Sequence, residues 1–340
     1  MAARNGPGIP FAAALAASVL MLSSASCGGG GSSSPGPSGW TQKVPSGDPN
    51  APPPRSNVGF VWTGSNRAVF FGGFDGSAQL NDLWWYDPSS NHWTSKIGGG
   101  QPSSPGPRNS VPLVWDGTRV ILFGGQVTGP SNDLWWYDPG ANAWTRKIVA
   151  GAASSPPARY SHSLVWDGTR VILFGGFDVS RSYNDVWWYD PGTNAWTQKI
   201  ALDLPSSPGP RNGGSLVWDG TRAILFGGGN PLPGSNDLWW YDPGANAWTQ
   251  KIFQGASGSP PSRSHHGAAW DGASMLVFGG AIAGGQSTND LWAYSSATNT
   301  WAELTTNAAS GSPSSRIAPG MIHDGTRTIL ASTDTWWYAP

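Results

Sequence analysis

An arginine recurs at near-constant intervals along this 340-residue sequence, at Arg55, Arg108, Arg159, Arg211, Arg263 and Arg316. Guanidinium forks gathered on one surface could grip carboxylates through paired N–H donors. An aspartate follows each at a second near-constant interval: Asp82, Asp133, Asp185, Asp237, Asp290 and Asp334. Six cations matched by six anions favour a structural ring of ion pairs over an open anion site, while leaving part of the ring available to a ligand. General acid/base chemistry has little to work with. Of the 19 aspartates, nine more occupy recurrent turns: Asp-Pro at Asp87, Asp138, Asp190 and Asp242, and Asp-Gly at Asp116, Asp167, Asp219, Asp271 and Asp324. Only Asp48, Asp75, Asp178 and Asp203 fall outside, and Glu303 is the sole glutamate. Two carboxylates held in different environments are therefore hard to assemble. The histidines, His92, His162, His265, His266 and His323, show no metal-ligand spacing. Neighbours on a strand such as His265 and His266 point apart. No catalytic residue, metal or cofactor is expected.

The elements that must position these side chains follow from repetition. Phe-Gly-Gly signatures place Gly72, Gly124, Gly175, Gly227 and Gly279 about 52 residues apart. One unit contains four candidate strands: Ser161 to Trp166, Arg170 to Phe174, Val186 to Tyr189 and Ala195 to Ile200. Asp167-Gly168 marks a tight turn between the first two, and Asp190-Pro191-Gly192 a turn between the last two. Tryptophan doublets from Trp84-Trp85 to Trp336-Trp337 place large rings on both faces of the third strand, so both faces require burial. Stacked sheets around an axis satisfy that demand. Low charge (11%), 48 Gly, 30 Pro and 22 Trp agree with many turns and extensive aromatic burial. The formal net charge of −1 gives no reason to expect nucleic acid as a partner.

These residues resemble the kelch-repeat family, whose unit of about 50 residues carries a Gly-Gly pair after its second strand. Propellers of the WD type, with a period nearer 40 residues, fit less well. The resemblance, over residues 40–340, implies an all-β, six-bladed β-propeller of four-stranded antiparallel blades. The sixth unit stops at Trp336-Trp337-Tyr338-Ala339-Pro340, without a fourth strand, whereas Trp40-Thr41-Gln42-Lys43 repeats the Trp-Thr-Gln-Lys of Trp196 to Lys199. The N-terminal strand near Trp40 is therefore expected to close the last blade and shield its edge. The propeller contains no cysteine, which excludes the Cys–Tyr crosslink of galactose oxidase, an enzyme with similar repeats.

Function should reside where units differ. Loops entering the first strand and loops between the second and third share one propeller face, and loops on a rigid scaffold carry binding residues. The residues there that break the repeat are Tyr160, His162, Arg181, Tyr183, His265, His266, Phe74 and Asp75, the candidate ligand-binding face. The tryptophan doublets read as core rather than carbohydrate platforms. The opposite turns, nearly identical between units, read as scaffold.

Residues 1–26 read as a signal peptide with an apolar run from Phe11 to Leu22, too short to span a bilayer. Cys27, the only cysteine, follows small residues and resembles the lipidated cysteine of bacterial lipoproteins, with Ser24 departing from the usual leucine. Residues 27–39 then form a lipidated Gly/Ser/Pro linker reaching about 20 Å. Gly28 by analogy favours the outer membrane. The expected protein is a monomeric, exported, non-catalytic binding module, tethered to the bacterial envelope only by lipid, with a protein or glycan ligand. The alternatives are a sugar-processing enzyme resembling kelch-type sialic acid epimerases, gripping a carboxylate with arginines, and a structural envelope protein. Removing residues 39–46 should lower the melting temperature markedly; an unchanged melting curve would refute closure by this segment.

Overall fold

The computed structural model describes residues 39–229 and 234–339. Among them are six antiparallel sheets arranged as a propeller, each meandering outward from an innermost strand. Blade 3 is representative: Ser163–Trp166, Val171–Phe174, Val186–Asp190 and Ala195–Ile200. Its innermost strand starts two residues later than its apolar pattern indicates, because Ser161 turns into the left-handed region (φ 51°). In blade 6, Trp40–Val44 pairs with Thr335–Tyr338 as the outermost strand, so the two ends of the repeat array close the ring.

Interdigitating aromatic rings hold the blades together. The phenylalanine before each glycine pair meets the outer-strand tryptophan of the next blade: Phe71–Trp144, Phe123–Trp196, Phe174–Trp248, Phe226–Trp301 and Phe278–Trp40, with centroids 4.7–5.2 Å apart. Such offset and edge-on contacts add stability beyond area burial. The sixth unit has Ala331 in place of that phenylalanine, and Phe60 and Phe70 of blade 1 pack on Trp93 instead.

A second device works at the outer edge. Every outer strand carries a β-bulge at one residue, a lysine in five blades: Lys43, Lys96, Lys147, Lys199 and Lys251. A bulge re-aims a side chain. Here it lays each lysine over the second tryptophan of the doublet, whose other approach is covered by an arginine, as in Arg170–Trp188–Lys199. The ten cation-to-ring distances run from 3.7 to 4.4 Å. The bulged lysine's carbonyl accepts a bond from the next blade, as in Asn194 Nδ2 to Lys147 O at 3.2 Å. Blade 5 departs from the expected tryptophan doublet: Trp292 is followed by Ala293, and Ser274 and Leu304 occupy the two cation positions. All three members of the clamp are lost together, which marks them as one unit.

A closed ring of backbone hydrogen bonds surrounds the axis. Two residues beyond each of the six recurrent arginines stand Asn57, Ser110, Ser161, Gly213, His265 and Ala318, all with φ between 50° and 63°. Each N–H donates to the carbonyl of its counterpart in the preceding blade, and Asn57 donates to Ala318, at 2.6–3.0 Å. Left-handed backbone costs an L-residue roughly 1–2 kcal/mol. Five non-glycine residues adopt it here because the six bonds close on themselves.

Candidate ligand-binding face

The arginines belong to the scaffold of this face. Each guanidinium is buried, Arg159 and Arg263 completely. Nε donates to the carbonyl two residues upstream at 2.9–3.1 Å. In blades 1–5, Nη1 donates to the first glycine carbonyl of the pair at 2.8–3.2 Å, and the fork holds both aspartate oxygens. Arg159–Asp185, for example, is bonded at 2.6 and 2.9 Å. The tryptophan two residues after each aspartate donates its indole N–H to it at 2.6–2.8 Å in those blades. Burial pushes the carboxyls of Asp133, Asp237 and Asp290 upward, but the arginine bonds and charge outweigh it and hold them below the ordinary range. In blade 6, Arg316 keeps one bond to Asp334, and Trp336 Nε1 is buried without a partner. The asparagines before these aspartates fasten the inter-blade loops, as in Asn184 Nδ2 to Pro208 O at 3.0 Å. With its fork held in this way, none of the six arginines presents a free grip for an external carboxylate.

The repeat-breaking residues divide into three groups. His162 and His266 are buried, 4% and 5% exposed, and neither ring nitrogen has a hydrogen-bond partner. They replace Val58 and Val111 of blades 1 and 2 and pack edge-on against Phe123 and Phe226. Burial, with the nearby arginine charges, moves both pKa values down to about 3, so the rings are neutral. Tyr183 is also buried: its ring lies 4.0 Å from Arg159, and its hydroxyl donates a very short bond to Asp178. Burial and that carboxylate raise its pKa to about 12.

The second group shapes loops. Burial opposes the ionised form of Asp178, but bonds from Ser180, Tyr183 and Arg181 lower it to about 2. Asp75 likewise caps Ser77 and Ala78, whose N–H donors lower its pKa. Val179, next to Asp178, is 66% exposed at φ 79°, a strained conformation for a β-branched residue. Gly76 takes the corresponding place in blade 1.

The third group lies on the rim and at the axis. Arg181 is exposed and pairs with exposed Asp203 at 3.2 Å, a contact of little energetic weight. Half-buried Tyr160 meets Phe177 edge-on, with centroids 5.7 Å apart, and Phe74 is half-buried on the same rim. His265 occupies the axial ring, where its imidazole covers Gly213 and reaches toward Ser161 in blade 3. Burial lowers its pKa to about 4. The adjacent histidines do point apart, His265 toward the axis and His266 between blades. The contributions of Asn57, Ser110, Ser161 and Gly213 were not singled out in the sequence, although the column two residues after each arginine varies visibly. Among the described residues no group of three or more His, Cys, Asp or Glu side chains could hold a metal ion.

Fold and site define a six-bladed repeat propeller with a uniform scaffold and one face of unlike loops. The KLHDC2/KLHL20/DRC7 Kelch-repeats domain matches residues 37–228 and 204–334, and the chain belongs to the kelch-repeat family. It is similar to "Putative adagio-like protein 2" of Oryza sativa subsp. japonica, 30% identical over 71% of this chain and 40% of that protein. It is also similar to human "Host cell factor 1", 30% identical over 72% of this chain and 12% of that protein. "Tip elongation aberrant protein 1" of Schizosaccharomyces pombe is 27% identical over 62% of this chain and 19% of that protein. The chain thus matches less than half the length of each of these relatives.

The buried histidines make stability depend on pH. Their folded pKa values lie below the ordinary value near 6.5, so the unfolded chain binds protons that the fold refuses. Their full contribution is present above about pH 6.5 and lost as pH falls toward 3, at up to about 1.4 kcal/mol per pH unit for each ring. Urea unfolding should show the parent losing more stability between about pH 7 and pH 5 than a His162→Val, His266→Val variant. Equal losses would acquit both imidazoles.

Proposed function

We propose that this chain is a non-catalytic binding module that engages a protein partner through its loop face. The supporting observation is the contrast between the two sets of turns. Asp-Gly turns on one side repeat the same capping bonds, as in Asp116, Asp167, Asp219 and Asp324, each accepting from two backbone N–H groups and pairing with an arginine. The other side carries loops of different length and composition on the same rigid ring. Val179 and Arg181 project from one such loop, while Tyr183 and Asp178 fix its base. Rigid presentation lowers the ordering cost of binding.

Purified full chain should retain a discrete set of proteins from cell extract. Replacing Tyr160, Val179 and Arg181 together by alanine should abolish retention, whereas alanine at Thr169 and Thr221 on the opposite face should not. Undiminished retention by the first variant would place the interface elsewhere.

The address is part of the same proposal: an exported lipoprotein anchored through Cys27, on the outer membrane of a bacterial envelope. It rests on the sequence of residues 1–38, which lie outside the described residues. In a bacterial host, radiolabelled palmitate should enter the parent chain and not the Cys27→Ser variant; equal labelling of both would rule out this anchor.

A further inference from the structure

The axial ring has one backbone geometry and six different demands on its side chains. Ala318 adopts the ring conformation at φ 50°, so nothing in the fold calls for a polar side chain there. Polar groups nevertheless occupy four positions. Ser110 Oγ donates to Asn109 Oδ1 at 2.8 Å and lies 3.3 Å from Asn57 Oδ1, and His265 spans the ring with Nε2 3.4 Å from Ser161 Oγ and Nδ1 3.2 Å from Ser264 Oγ. The contacts to Asn57 Oδ1, Ser161 Oγ and Ser264 Oγ lie at the long end of hydrogen-bond geometry, so an incoming group can exchange for them. Gly213 is required by space rather than by φ: a Cβ there would meet the His265 ring at 2.6 Å.

We propose that this axial mouth, formed by Asn57, Ser110, Ser161 and His265, is the anchoring subsite of the loop face and takes an uncharged amide from the protein partner, an Asn or Gln side chain presented on a turn. The subsite rests on the reading of that face as the protein-binding surface. Its donors and acceptors are neutral, with His265 uncharged near neutrality. The nearby guanidiniums are held by their own aspartates. A carboxylate would lose its hydration and find no counter-charge, whereas an amide matches hydroxyl, amide and imidazole partners on both its donor and acceptor sides.

The test uses the purified full chain with 13C-labelled histidine and follows the His265 ring signals during titration with two blocked tripeptides, acetyl-Gly-Asn-Gly-amide and acetyl-Gly-Asp-Gly-amide. The Asn peptide should shift the His265 signals saturably and bind at least about tenfold more tightly than the Asp peptide at neutral pH. His265→Ala should abolish Asn-peptide binding, read from backbone amides of the ring. Gly213→Ala should do the same by displacing the imidazole, since Ala318 shows that the backbone accepts alanine. A preserved cooperative urea unfolding transition reports that each variant is folded. No response to the Asn peptide, equal or tighter binding of the Asp peptide, or a response to methyl N-acetylglucosaminide without one to the Asn peptide would overturn the proposal. The two readings fail differently. Extract retention that depends on the rim but ignores excess Asn peptide counts against the subsite alone, while peptide binding without rim-dependent retention counts against the protein-binding face.

Discussion

Each blade is organised around a guanidinium buried away from bulk solvent. Its charge and donors must be met inside the protein, and in blades 1–5 meeting them fixes four segments at once: the chain entering the innermost strand, the glycine pair after the second, the aspartate opening the third, and the tryptophan two residues on. Arg159 exemplifies this, with Pro157 and Gly175 carbonyls, Asp185 and, through Asp185, Trp187. A desolvated ion pair is costly unless such bonds satisfy it. That demand makes the network a specifier of geometry as well as a bond. The arginine's own carbonyl accepts from the second glycine of the preceding blade, so satisfying one blade aligns the next.

The same economy of charge decides what the molecule can recognise. A face lined by six arginines would invite acidic ligands if the guanidiniums were open. With the aspartates in place, Arg181 with Asp203 is the exposed ion pair among the described residues of the loop face, alongside the exposed carboxylate of Asp75. What that face offers a partner is shape and neutral hydrogen-bonding groups. Around the axis the backbone is uniform while the side chains differ, a separation of scaffold from specificity that follows from bonds made entirely by the main chain.

Much of this was legible in the sequence because repetition compares the chain with itself. Regular glycine pairs, six arginines with six aspartates, and the Trp-Thr-Gln-Lys segment near Trp40 indicated blade number, ion pairs and closure. Other features depend on geometry that spacing does not encode. The burial of His162 and His266 follows from their packing on Phe123 and Phe226 of the preceding blade, and that of Tyr183 from Arg159 and Asp178, contacts that period-two reasoning within one strand does not reveal. The left-handed ring was hidden because its six positions share no residue type: asparagine and glycine, which favour positive φ, hold one position each, and serine and alanine, which do not, hold three. The tryptophan clamp emerges only with the bulge, which turns a lysine from the strand's edge onto a ring. Its joint loss at Ser274, Ala293 and Leu304 is visible in the sequence once the three are known to touch.

The structural role of the arginine–aspartate pair is tested most directly by a double-mutant cycle on Arg159 and Asp185, using Arg159→Met, Asp185→Asn and the double variant in urea unfolding. Each single change should cost roughly 3–5 kcal/mol by leaving a buried partner unpaired, and the double variant should cost clearly less than their sum. Strict additivity, or a stable Arg159→Met variant, would contradict the account and return the arginines to the list of free ligand-binding groups.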